Sequence, residues 1–245
     1  MTRKPNSGRC VHCLQFFDHI TWDHVMPNSW YPEGIRNIEK WNVPSCRRCN
    51  EELGEIEERL LTTLGLCLDP LDENSSGIPD KVLRSVNELM GKDIRDISAR
   101  RKKRELVLSN ISILTDLPKQ GLLPNFGPIS DFNYNFYPVM YVEDADIKRF
   151  AEKVVRGIAY ISNHSYIDID YEIEHYVVDE IKMKKYISDL IQYGEIFKRE
   201  SAFIVRRLLA EDDKVGGLYF IEIWGRFKFF VSVIPKSKFG SLSFL

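Results

Sequence analysis

The chain has 245 residues, 44% of them hydrophobic and 29% charged, and a formal net charge of −2. That balance belongs to a globular protein with a sizeable core, and it excludes a histone-like role in coating nucleic acid, though not an enzyme whose positive charge is local. No apolar run reaches the ~18 residues of a membrane span, and Thr-Arg-Lys at the start leads into no apolar signal region, so residence in the cytoplasm with no membrane partner is expected.

Four of the five cysteines fall in two tight pairs, Cys10-x2-Cys13 and Cys46-x2-Cys49. Without an export signal this spacing reads as metal binding, and four thiols suit a tetrahedral, structural Zn2+. Cys67 lies in an apolar stretch and is expected to be a small buried hydrophobe. Between the pairs, Ile20 to Val25 has the β-branched make-up of a strand and carries Asp23-His24. After the second pair, Leu53, Ile56, Leu60 and Leu64 recur at helical spacing until Gly65 and Asp69-Pro70 close the helix. The acids from Glu51 to Glu58 form its solvated face.

Asp72 to Pro79 reads as a loop. Helices are predicted near Pro79 to Met90 and Ile97 to Leu117, with Arg100 to Arg104 on a solvated face, and Gly121 to Asn135 is predicted to be irregular. Asp144 to Ile161 has helical spacing through Ile147, Phe150, Val154, Val155 and Ile158. A strand over Tyr171 to Val178, a helix over Asp179 to Tyr193 and a strand over Phe203 to Leu209 follow. Leu218 to Ile234 reads as a hairpin of core strands turning at Gly225-Arg226. The expected class is α+β. Residues 1–66 form a zinc-stabilised module and 67–135 a helical connecting region. Residues 136–245 form an α+β domain with antiparallel strands, which would recognise substrate, bind a partner protein or form a homodimer.

The chemistry is concentrated in the first segment. A strand, a loop and a helix can place Asp23, His24 and Asn50 around one divalent ion. Asp23 and Asn50 are oxygen donors suited to Mg2+ or Mn2+, and an imidazole such as His24 suits a general base that activates water against a phosphodiester. Arg36, Lys40, Arg47 and Arg48 flank these residues and are candidate phosphate contacts in nucleic-acid binding. His12 and His19 also lie in the module, but four thiols already complete a tetrahedron. His164 and His175 lack a partner motif. Trp30-Tyr31-Pro32 either stacks on a substrate or packs, with packing favoured.

Cys-x2-Cys, then Asp-His-Val-x-Pro, then Val-Pro-Ser-Cys-x2-Cys-Asn-x2-Leu-Gly resembles the HNH endonuclease superfamily, in the variant with a four-cysteine zinc and Asn replacing the last His. The resemblance covers roughly the first 55 residues. It implies a ββα-metal (HNH) fold, with His24 as general base and Asp23 and Asn50 as ligands of the catalytic ion. Cys10, Cys13, Cys46 and Cys49 would hold the structural zinc. The family's central Asn, which orients the base, falls at Trp41 here, and Asn42 is the neighbouring candidate for that catalytic role, with Asn37 a remoter one. The implied activity is metal-dependent hydrolysis of phosphodiester bonds in DNA, with RNA also open, and a bacterial restriction or defence role is the setting such an activity suggests. The alternative is a catalytically inert zinc module that binds nucleic acid or protein.

Overall fold

A computed structural model describes residues 7–35, 39–114, 137–177 and 180–239. The protein is a mixture of helices and antiparallel sheets. By its internal contacts the chain divides into two compact units, neither of them continuous in sequence. Unit 1 gathers residues 1–28, 37–54 and 148–245, and unit 2 gathers 29–36 and 55–147. The contacts therefore group the chain differently from the consecutive segments 1–66, 67–135 and 136–245, because the ends of the chain share one unit.

Unit 1 begins with a two-residue hairpin, β1 (Gly8–Arg9) against β2 (Phe16–Phe17). A second hairpin pairs β3 (Thr21–His24) with β4 (Asn42–Ser45), and α1 (Arg47–Gly65) leaves directly from it. The first hairpin leans on the second through the Val11 N–H, which donates to the Pro44 carbonyl at 2.9 Å. The β-branched run around Asp23 behaves as the pattern predicts. Helix α1 starts six residues before the first member of the apolar stripe and buries Leu53, Leu60 and Leu64.

The larger part of unit 1 is a five-stranded antiparallel sheet in the order β7-β11-β10-β9-β8. Its strands are β7 (Tyr171–Val177), β8 (Glu195–Arg199), β9 (Phe203–Leu209), β10 (Gly217–Ile223) and β11 (Phe227–Pro235). Tyr219, Phe220 and Ile221 are all buried, as are Phe229, Phe230 and Val231, so the central hairpin is covered on both faces and is core. Leu190 of the helix over Glu180–Tyr193 packs with Phe220 and Phe230 on one face. The reversal between β10 and β11 has Trp224 and Gly225 at φ 51° and 67°. A tryptophan tolerates that conformation because its N–H donates to the Ala202 carbonyl at 2.8 Å and its side chain is wholly buried.

The long helix over Asp144–Asn163 supplies unit 1 with Lys153, Gly157 and Ser162. Nearly every residue from Phe150 to Ala159 is buried, so this helix is apolar around most of its circumference. Gly157 is there for close approach: a Cβ on it would lie 2.6 Å from Val25, the residue after β3. Tertiary packing thus brings this helix directly onto the first module's hairpin.

Unit 2 contains the helices over Ile78–Val86 and Ile94–Ser109. Asp93 caps the second by accepting from the Asp96 N–H at 2.8 Å. The basic run on that helix is ion-paired, the exposed Arg101 and Arg104 with Glu88 and the half-buried Arg100 with Asp96. The expectation of helix to Leu117 is corrected. The helix ends at Ser109, and Ile111–Leu114 is a strand paired with Tyr137–Met140, because Asn110 closes the helix and Ile-Ser-Ile-Leu alternates with the period of a strand. The irregular segment expected over Gly121 to Asn135 lies outside the described residues. Trp30 and Tyr31 are buried, so the Trp-Tyr-Pro segment packs, and Cys67 is buried as expected.

Candidate metal centre

Cys10, Cys13, Cys46 and Cys49 converge from the first hairpin and from the junction of β4 with α1. Their sulfur atoms all lie within 4.8 Å of one another, and Cys13 Sγ and Cys46 Sγ are 3.9 Å apart. A tetrahedron with Zn–S bonds of about 2.3 Å places its sulfurs about 3.8 Å apart, so this set fits a zinc ion. Cys10, Cys46 and Cys49 are buried together with Ile20, with Phe17 packed against them. The Cys49 N–H points at Cys46 Sγ at 3.4 Å. The Cys49 thiol beside Cys10, with nearby backbone N–H groups, holds the Cys10 thiol down to about 3, while the same contact pushes Cys49 up. A metal takes cysteine as the thiolate. The turn between Cys10 and Cys13 closes with Leu14 at φ 66°, a left-handed position that costs a leucine about 1–2 kcal/mol.

The second cluster lies on the helix-facing side of β3. Asp23 is 6% exposed. Its Oδ2 accepts from His12 Nε2 at 3.0 Å, and its Oδ1 accepts from Lys153 Nζ at 3.2 Å. Burial alone would raise the Asp23 carboxyl, but the imidazole and the ammonium together hold it below the usual carboxylate range. Lys153 is wholly buried. It stands one helical turn before Gly157, so the close approach to Val25 and the reach to Asp23 belong to one contact between helix and strand. Asn50, in the first turns of α1, donates to Thr21 Oγ1 at 3.2 Å.

His24 alternates to the other face of β3. It is the register partner of Asn42 across the hairpin, and His24 Nδ1 and Asn42 Oδ1 are both buried without a hydrogen bond. Asn42 Nδ2 donates to the Lys40 carbonyl at 3.1 Å. Burial, and then the positive charge of Lys40, keep the His24 imidazole below its ordinary pKa. Trp41 packs edge-on against Phe197 and Phe203 with the Arg199 guanidinium 3.9 Å over its ring.

Of the four candidate phosphate contacts, Arg47 and Arg48 are strongly exposed and pair with Glu51 and Glu52 one turn on, Lys40 is exposed, and Arg36 lies outside the described residues, as does Asn37. Such surface pairs are worth little and open easily to a competing anion. His19 and His164 are exposed and His175 is half-buried. His12 is no thiol substitute; it serves Asp23. Sequence reasoning missed Lys153 and the role of His12. The signal for Lys153 was a lysine at the third position after Phe150, on the apolar stripe itself. No protein-family model, curated protein or solved structure matches the chain. Among the described residues, no helix is long and apolar enough to cross a membrane.

Proposed function

We propose that the chain is an HNH-type phosphodiester hydrolase acting on DNA. The observation that carries the reading is local. Beside a four-thiol cluster, a two-stranded hairpin runs straight into a helix, with His24 on one strand and Asn42 opposite it on the other. In this reading zinc, held by Cys10, Cys13, Cys46 and Cys49, fixes the hairpin against α1 and takes no part in the reaction. His24 accepts a proton from water as the water oxygen bonds to phosphorus. The bond from phosphorus to the departing sugar oxygen breaks, and that oxygen takes up a proton from solvent. Asn42 is the residue that faces His24 in register from the opposing strand. The exposed Lys40, Arg47 and Arg48 neutralise phosphate charge.

The Mg2+ or Mn2+ that the resemblance implies does not fit this arrangement of Asp23 and Asn50. Both Asp23 oxygens are engaged, one of them by a buried ammonium, and the Asn50 amide is turned to Thr21. The hydrolysis proposed for His24 therefore draws on no divalent ion at Asp23. The engagement of Asp23 also favours a second reading, a zinc module that binds DNA or protein without cutting. Incubation of supercoiled plasmid with the wild type and with His24→Ala separates the two. Nicking by the wild type, lost by at least about a hundredfold in His24→Ala, is expected for a general base. Cleavage that survives the substitution sinks the assigned mechanism, and no cleavage of DNA or RNA supports the inert module.

A further inference from the structure

His12, Asp23 and Lys153 form a buried polar cluster in unit 1 that takes no part in the proposed hydrolysis. Lys153 belongs to a helix whose neighbouring residues Phe150, Val154, Val155 and Ile158 are all buried, and it is itself completely inaccessible. An ammonium is retained at such a place only against a partner of opposite charge, because desolvation otherwise outweighs any gain. Asp23 is that partner at 3.2 Å. His12 Nε2 takes the other carboxylate oxygen at 3.0 Å, which requires the tautomer with hydrogen on Nε2. Gly157 permits the helix to sit close enough for the lysine to arrive, since any larger residue there would collide with Val25.

We propose that Lys153 is the resident cation of this centre, taking at Asp23 the place that a divalent ion would take. The charge balance favours the substitution. One ammonium neutralises one carboxylate, and His12 Nε2 engages the other carboxylate oxygen. A dication added at Asp23 would face an ammonium across the same carboxylate and be repelled by it in a poorly screened interior. Asp23 then serves as an anchor: it ties β3 to the long helix and to the thiol hairpin, and so sets the strand from which His24 projects. Lys153 is a positioning residue and touches no substrate. The assignment deepens the hydrolase reading, but it is tested by metal binding in the absence of DNA, so its failure is distinct from a failure to find cleavage.

The test is Mn2+ titration of the full-length, zinc-loaded protein, followed by the electron paramagnetic resonance signal of free Mn2+. The variants are Asp23→Asn, Lys153→Ala and the double substitution. The wild type is expected to bind no Mn2+ more tightly than about 1 mM, the weak end of carboxylate sites, and to match Asp23→Asn. Lys153→Ala, with the carboxylate released, is expected to gain one Mn2+ per chain at least about tenfold more tightly, with a thermal midpoint that rises on Mn2+ addition. The double variant loses that gain. A wild-type Mn2+ site that Asp23→Asn abolishes overturns the proposal, as does a folded Lys153→Ala that gains none. Where Lys153→Ala fails to fold, the wild type against Asp23→Asn decides alone.

Discussion

The four thiols come from residues 10 to 49 and meet beside a hairpin, whereas the neighbouring ion pair joins Asp23 to Lys153 across 130 positions of sequence. Both clusters are largely buried, and both tie the hairpin of β3 and β4 to something else. They differ in what supplies the partner. The thiols need only a metal and a short stretch of chain. The carboxylate needs a helix that belongs, in sequence, to the other end of the molecule. A local cluster is specified by spacing; a distant one is specified by packing, and it stands or falls with the fold of the whole unit.

The sharpest way to break the contrast is to abolish the four-thiol metal site. Cys46→Ser or prolonged chelation is expected to forfeit on the order of 10 kcal/mol of metal-linked folding energy, more than a typical domain has to spare. Circular dichroism and zinc content read the result, and a metal-free protein with a wild-type melting curve would contradict it. Next in size is the ion pair. Lys153→Met strands a buried carboxylate and should cost about 3–5 kcal/mol, while adding Asp23→Asn should recover most of that loss. Denaturant midpoints for the single and double variants give the coupling, and simple additivity would show that the two groups do not act on each other.

Smaller effects sharpen the same comparison. Gly157→Ala improves helix propensity by about 1 kcal/mol, yet its methyl meets Val25 at 2.6 Å. A net destabilisation of about 1–2 kcal/mol is expected, and a stabilised variant would mean that the helix does not press on β3. Leu14→Gly relieves the left-handed residue at φ 66°. Relief of about 1–2 kcal/mol set against the extra freedom of glycine leaves a gain of up to about 1 kcal/mol, read as a higher denaturant midpoint.

The thiol centre was legible because every ligand lies in a two-residue-gap pair, and strand β3 and the stripe of α1 because period 2 and period 3.6 are visible in short windows. The long helix over Asp144–Asn163 and the hairpin of β10 and β11 were legible for the same reason. The end of the second unit-2 helix at Ser109 was hidden, since Leu106 to Ile113 satisfies either period. Strand β8 escaped because Glu195–Arg199 is an edge strand whose exposed residues carry little apolar alternation. Lys153 was hidden for a different reason. A lysine on a helix is ordinarily solvated, and only the burial of its flanks and its carboxylate partner, both products of tertiary packing, mark it as interior.

The discontinuity of unit 1 has a consequence in time. A chain made from its N-terminus holds all four thiols once Cys49 has emerged, yet Lys153 follows about a hundred residues later, on the order of ten seconds at ordinary rates of synthesis. During that interval Asp23 has no ammonium and the face of β3 that will receive the helix is bare. The four-thiol module is thus born early and finished late, and its maturation waits on the second half of the protein.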